Sequence, residues 1–295
     1  MTAFLSNLCS GISLGSIYAI IALGYTMVYG IAKMLNFAHG DIIMVGAYVC
    51  FCVMQYLGLS PMVGVLASVV VCTVLGVVIE QLAYKPLRQA TSLAVLITAI
   101  GMSYLLQNSA QLIWGANPKS FQSVLGGLPS LSLLDGTLNI SAVTIVTIVS
   151  CIIIMVALTL FINKTKMGKA MRVVSEDKGA AELMGINVNH TISLTFAIGS
   201  ALAAVAGVLM CSAYPTLMPT IGSMPGIKAF TAAVFGGIGS IPGAMIGGIL
   251  LGIIEILGRA YVSTELGDAF VFAVLILVLL VKPTGLLGKA VREKV

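Results

Sequence analysis

Few residues in this chain have the types and spacing for covalent chemistry. Gly11-Ile12-Ser13-Leu14-Gly15 matches G-x-S-x-G, the elbow that presents a serine nucleophile for acyl transfer. Such an elbow needs a sharp strand-to-helix turn with a histidine and an acid beside it. Ser13 instead falls early in a long apolar run. The only histidines, His39 and His190, are expected across the membrane from it. No HExxH occurs, so zinc-protease chemistry has no support. Gly168-Lys169 and Gly288-Lys289 are each followed by alanine and lack the upstream glycine of a P-loop. ATP therefore has no Walker site here. If ATP and magnesium drive this protein, another subunit must use them, and no cofactor or metal is expected on this chain.

A second kind of chemistry is docking. Only 8% of the chain is charged, yet SEDKGAAELMG, residues 175–185, holds Glu176, Asp177, Lys178 and Glu182. Ser175 suits an N-cap. Glu176 and Asp177 fall in a first turn, where the helix dipole favours negative charge. Gly185 is placed to end the helix in a left-handed cap. Ala180, Ala181, Leu183 and Met184 lie between. A helix of about nine residues is too short to stand alone in water, so something packs on its small apolar face. It reads either as a solvated interfacial helix or as a knob gripped by a partner that hydrolyses ATP.

Charges near the membrane are few. Glu80, Lys228, Glu255, Arg259 and Asp268 are all expected close to span ends, where long side chains can snorkel. Glu255 and Arg259 stand four apart, in the favoured order for an ion pair. No file of acids runs through mid-bilayer, which argues against a proton- or sodium-driven carrier. That carrier remains the rival reading.

These residues need a scaffold, and the composition says which. The 295 residues are 59% hydrophobic with a net charge of +5 and a mean hydropathy of +1.11. This is the membrane class, and no basic patch is large enough to track nucleic acid. The six cysteines lie in apolar stretches without metal-site spacing. Runs near 8–32, 40–57, 61–83, 91–114, 140–162, 190–213, 241–258 and 268–281 predict an all-α polytopic bundle of about eight membrane helices. A broken or re-entrant segment is expected near 228–243, where Gly236, Gly237, Gly239, Ser240 and Pro242 interrupt the apolar run. Lys85 and Arg88, then Lys164, Lys166, Lys169, Arg172 and Lys178, then Lys282, Lys289, Arg292 and Lys294 mark the inside. The connection 115–139, with only Lys119 and Asp135, faces out. The N-terminus is then outside and the C-terminus cytoplasmic. Residues 1–295 read as one transmembrane domain, with loop 163–190 inside the cell.

Lipid offers helices no hydrophobic reason to associate, so small residues must allow close approach. Gly11 with Gly15, Gly199 with Ala203 and Gly207, Gly243 with Gly247, and Gly248 with Gly252 have the spacing. Packing within one bundle is the simpler reading. An interface with a partner subunit is the other.

Met167-Gly168-Lys169-Ala170-Met171-Arg172, Glu176-Asp177, Ala180-Ala181 and Gly185-Ile186-Asn187 resemble the coupling loop of ABC importer permeases. Gly24 to Gly30, Asn36 to Asp41, Lys228 to Val234 and Gly236 to Ala244 narrow the resemblance to the LivH-type branched-chain amino acid permeases. It covers nearly the whole chain. The resemblance implies a permease subunit of an ATP-driven importer for leucine, isoleucine and valine in the bacterial inner membrane. It further implies a homologous LivM-type permease partner, LivG-type and LivF-type ATPases and a periplasmic binding protein. The 175–184 helix would meet an ATPase groove. The loop alone also fits a permease for another small solute. For a zwitterionic substrate, exposed helix ends could hold the carboxylate. Gly236, Gly237, Gly239 and Ser240 are the first candidates on that path, and Asn36 and His39 the second.

Overall fold

The protein is described by a computed structural model covering residues 2–127, 129–133 and 138–288. Asp135, Lys289, Arg292 and Lys294, used above for sidedness, lie outside the described residues.

The bundle is helical, as expected. Its helices are α1 (Thr2–Ala32), α2 (His39–Gln55), α3 (Pro61–Ile79), α4 (Ser92–Trp114), α5 (Ala142–Lys164), α6 (Lys166–Glu176), α7 (Lys178–Leu183), α8 (Val188–Ala213), α9 (Ser223–Gly236), α10 (Ile241–Tyr261) and α11 (Gly267–Val281). Local chemistry sets many of their starts. Pro61 opens α3 at a position whose N–H would be free anyway. Thr91, Ser141 and Ser240 cap α4, α5 and α10 with side-chain oxygens. A π-helical turn at Glu80–Tyr84 and a 3-10 turn at Lys85–Leu87 extend α3.

Six of the described helices are long and apolar enough to cross a membrane, and α2 and α11 are shorter apolar helices. The eight coincide with the eight expected runs. Two short two-stranded ladders flank them: β1 (Lys119–Ser120) with β4 (Thr216–Leu217), and β2 (Leu131–Leu133) with β3 (Leu138–Ile140).

The helices pair in a pattern that repeats. α1 packs along α10 and α8 along α3; α2 packs on α3 and α8, while α9 packs on α10 and α1. Exchanging α1 with α8, α2 with α9 and α3 with α10 reproduces these pairs. α1 ends, and α8 begins, beside residues 178–187, so the two halves run in opposite senses. This is the arrangement of an inverted repeat.

Glycine makes the contacts possible. At Gly15 an added Cβ would stand 2.6 Å from Ile249 Cα; at Gly252 it would run into Gly15. Gly11 and Gly248 are equally confined, by Ile253 and Ala19. Gly199 lies on Gly24 and Val28, and Gly247 on Ala232 and Gly236. Each predicted small-residue pair thus joins helices of this one chain. α1 and α8 are buried along most of their length, whereas α3, α4 and α5 expose most of theirs.

Both halves are broken within the bundle. After α1, Lys33 adopts φ +59° and the chain runs non-helically to Phe37. It turns back along α1, so that His39 packs on Gly24 and stacks edge-on with Tyr25 at 4.6 Å. Gly24 lies eight residues before the end of α1, about 12 Å into the bundle at 1.5 Å per residue. α2 therefore starts inside, which is why its 17 residues suffice. The segment 214–222 re-enters from the opposite end, and α9 starts against α2: an added Cβ on Gly40 would stand 2.7 Å from the Gly222 carbonyl. The expected break near 228–243 is present at 237–240, where Gly237 and Gly239 take φ +106° and +91°. The breaks at 33–38 and 214–222 fall in gaps between the expected runs, but the runs do not show that these segments lie inside the bundle.

Candidate functional site

The first candidate is the place where α2 and α9 begin. Neither helix start has a side-chain cap; His39, Asp41 and Ser223 N–H groups donate instead to carbonyls of the preceding turns. Asp41, 1% exposed, occupies the first turn of α2, where a negative group complements the helix dipole. Gln107 of α4 spans the gap: its Nε2 donates to Asp41 Oδ1 at 2.9 Å and to Ser223 Oγ, on the first turn of α9, at 3.1 Å. One amide thus ties together the starts of both half-helices and a third helix.

Asn36 and His39 border this place. Both are buried, Asn36 in the link after α1 and His39 at the first position of α2. Asn36 Oδ1 accepts from Tyr84 Oη at 2.9 Å. Asn36 Nδ2, His39 Nε2 and Thr26 Oγ1 are buried without hydrogen-bond partners among the described residues. Sequence reasoning passed over Asp41, Gln107 and Ser223. The signal was available for Asp41 alone, as an acid inside an apolar run.

Gly236, Gly237, Gly239 and Ser240 sit elsewhere, at the end of the bundle that also holds Lys33 and Lys178. Gly239 lies against Gly30. Ser240 Oγ accepts from Gly243 N at 3.2 Å and starts α10. The chain after α11 covers the break: Leu286 N donates to the Phe235 carbonyl and Leu287 N to that of Gly236, both at 2.9 Å. An added Cβ on Gly237 would meet Gly288.

The polar block 175–185 is two helices and not one. α6 continues through Ser175 and Glu176, and Ser175 Oγ donates back to the Arg172 carbonyl at 2.6 Å. The cap is Asp177, whose Oδ1 accepts from Ala180 N at 3.0 Å. Asp177 outcompetes Ser175 because the chain kinks at its extended φ/ψ, −153° and 116°. Gly185, at φ +76°, ends α7 as expected. Ala181 is fully buried, and Lys178 Nζ donates to the Ala32 carbonyl at 3.3 Å. These contacts pin α7 to α1 and α8. Glu176, Asp177 and Ala180 are exposed. Leu183 is 92% and Met184 65% exposed, an apolar pair held out by a capped and anchored helix.

Of the membrane charges, Arg259 and Asp268 stand at helix ends and are partly exposed, as expected, but the other three do not snorkel. Glu80, Lys228 and Glu255 are buried. Lys228 Nζ lies 2.7 Å from Glu255 and 2.6 Å from Asp268, and Arg259 bridges the same two acids. Lys228 stands in the second turn of α9, not at its start. Glu80 pairs with Arg88 and accepts from Ser193 Oγ. Both clusters join helices across the bundle. Among the described residues no group of three or more metal-ligating side chains occurs.

The chain has known relatives over nearly its whole length. The family described as branched-chain amino acid transport system / permease component matches residues 7–279. The chain is 47% identical to the high-affinity branched-chain amino acid transport system permease protein LivH of Escherichia coli, over 99% of this chain and 98% of that one. It is 45% identical to the corresponding protein BraD of Pseudomonas aeruginosa, with the same coverage. It is 29% identical to a probable LivH of Methanocaldococcus jannaschii, over 92% of this chain and 89% of that one.

Proposed function

Since the chain belongs to the branched-chain amino acid transport system permease family, we propose the following account of its work. It is a multi-pass membrane protein and the permease subunit of an ATP-driven importer for branched-chain amino acids. Leucine, isoleucine and valine cross the inner membrane with its help. It is not an enzyme by itself: ATP and magnesium are used by two separate ATPases of the LivG and LivF types. A homologous LivM-type subunit completes the membrane part, and a periplasmic binding protein delivers the substrate. Residues 1–295 act as one transmembrane domain, with the C-terminus and loop 163–190 in the cytoplasm. The distribution of Lys85, Arg88 and the lysines of 164–178 supports that orientation.

The observation that carries the coupling role is the exposed Leu183–Met184 pair on a helix otherwise fixed to the bundle. An ATPase groove grips residues 176–185. Through Lys178 and the end of α1 its movement reaches the 33–38 segment, and through Ala181 it reaches α8. The two breaks it acts on, at the starts of α2 and α9, change the access of the substrate path. Asn36 and His39 flank the first break, and their unpaired polar atoms support a role toward the zwitterion's charged ends. Gly236, Gly237, Gly239 and Ser240 form a separate break, tied down by the chain after α11, and a role for them on the substrate path has less support.

The test is uptake of labelled leucine into proteoliposomes. The reading expects uptake from the four-subunit complex with binding protein and ATP, without any ion gradient. Gradient-driven uptake by this chain without ATPases would establish the secondary carrier instead.

A further inference from the structure

A cavity of about 340 Å³ opens where α1 ends, between the link 85–92 and α7. Lys33, Arg88 and Lys178 converge on it, together with the hydroxyls of Tyr29 and Ser92. None of its lining side chains among the described residues is acidic. Of the acids next to its lining residues, Glu80 is bound to Arg88 and Ser193, and Asp177, beside Lys178, caps α7 through Ala180 N. The lining thus carries three positive side chains and, among the described residues, no negative one. Arg88 Nε is buried without a partner among the described residues, although the guanidinium also reaches Asn189. The ammonium of Lys178 is held below the ordinary lysine range by burial first and then by the charges of Arg88 and Lys33.

Two further features face the same cavity. Ser92 is the first residue of the 23-residue helix α4, so the positive end of its dipole adds to the field. Lys33 holds φ +59°, a conformation uncommon outside glycine, asparagine and aspartate. A lysine is thus kept where its backbone is disfavoured.

We propose that this cavity binds a phosphoryl group. Lysines, an arginine, hydroxyls and a helix start are the donors that such an anion takes. The group belongs either to the headgroup of an anionic phospholipid or to a soluble phosphate. The start of α4 suits the lipid: Leu93 and Ile97, adjoining the lining residues Ser92 and Leu96, present exposed apolar side chains along which acyl chains would lie.

The experiment uses the purified membrane complex in nanodiscs. One arm contains phosphatidylcholine with phosphatidylglycerol, and the phosphatidylglycerol retained after exchange is counted by native mass spectrometry. The other arm contains phosphatidylcholine alone and is titrated with inorganic phosphate by calorimetry. Lys33→Asn removes the charge while suiting the left-handed backbone; Lys33→Arg keeps the charge; Lys169→Gln, on the exposed face of α6, is the control. Loss of a charge-assisted contact should weaken binding about tenfold in Lys33→Asn and Lys178→Gln, and little in the other two. That pattern in the first arm identifies a lipid headgroup; in the second, a soluble phosphate. Retention and phosphate binding that are both absent, or both indifferent to Lys33 and Lys178, would overturn the proposal.

Discussion

Replacing Leu183 and Met184 together with serine should loosen the grip of the ATPases without unfolding the permease. Both side chains lie outside the bundle, at 92% and 65% exposure. The features that hold α7 are elsewhere: the Asp177 cap, the buried Ala181 and the Lys178 contact. Full burial of a leucine or methionine side chain is worth about 1.5–3 kcal/mol. The exposures allow most of that for Leu183 and about two thirds for Met184. Association yields less than area alone suggests, because side chains lose freedom on docking. We therefore expect a loss of about 2–4 kcal/mol, or about 30- to 900-fold in affinity. The assay titrates labelled ATPase subunits onto the membrane subunits in nanodiscs, with unchanged thermal unfolding as the check on fold. An affinity within about twofold of the parent, with uptake intact, would refute the docking argument.

Other expectations follow from the same contacts. Lys228→Met leaves Glu255 buried with only Arg259 and Tyr18 as partners. It should cost about 2–4 kcal/mol, somewhat under the usual loss for a broken buried pair, and adding Glu255→Gln should recover part of it in a thermal unfolding series. Gly252→Leu would drive a side chain into the Gly15 backbone and separate α1 from α10, so folded yield in membranes should collapse. Gly101→Leu, whose Cβ meets nothing within 4 Å, should be tolerated; equal yields would contradict the packing. Asp177→Ala should remove about 1 kcal/mol of cap and lower uptake per ATP, whereas Asp177→Asn keeps a capping oxygen and should stay close to the parent.

How much of this was legible in the sequence depended on whether the deciding physics was local. Hydropathy located the eight apolar helices, and glycine spacing picked out the residues through which α1 meets α10 but not that these two helices pair. Gly236 to Ser240 announced the later break because glycine and proline interrupt a helix wherever they stand. Residues 33–38 did not announce theirs: nothing in Met34-Leu35-Asn36-Phe37 shows that the chain folds back along α1, a consequence of Gly24 leaving room for His39. Lys228 was misplaced because an apolar run bounded by a lysine looks like a span end. Only the tertiary fold brings Glu255 and Asp268 to it. Gln107 is silent in the sequence, since its partners Asp41 and Ser223 lie 66 and 116 residues away. At 175–177 two good capping residues competed, and the kink after α6 decided for Asp177.

The central claim is that α7 reaches into the cytoplasm and is covered there by a motor. It is tested most directly by a cysteine at Leu183, on a background without other reactive thiols, probed with a membrane-impermeant maleimide. Labelling should occur only in inside-out vesicles stripped of ATPases, and rebinding the ATPases should protect the site. Labelling from the outer face, or unchanged labelling after the ATPases rebind, would contradict it.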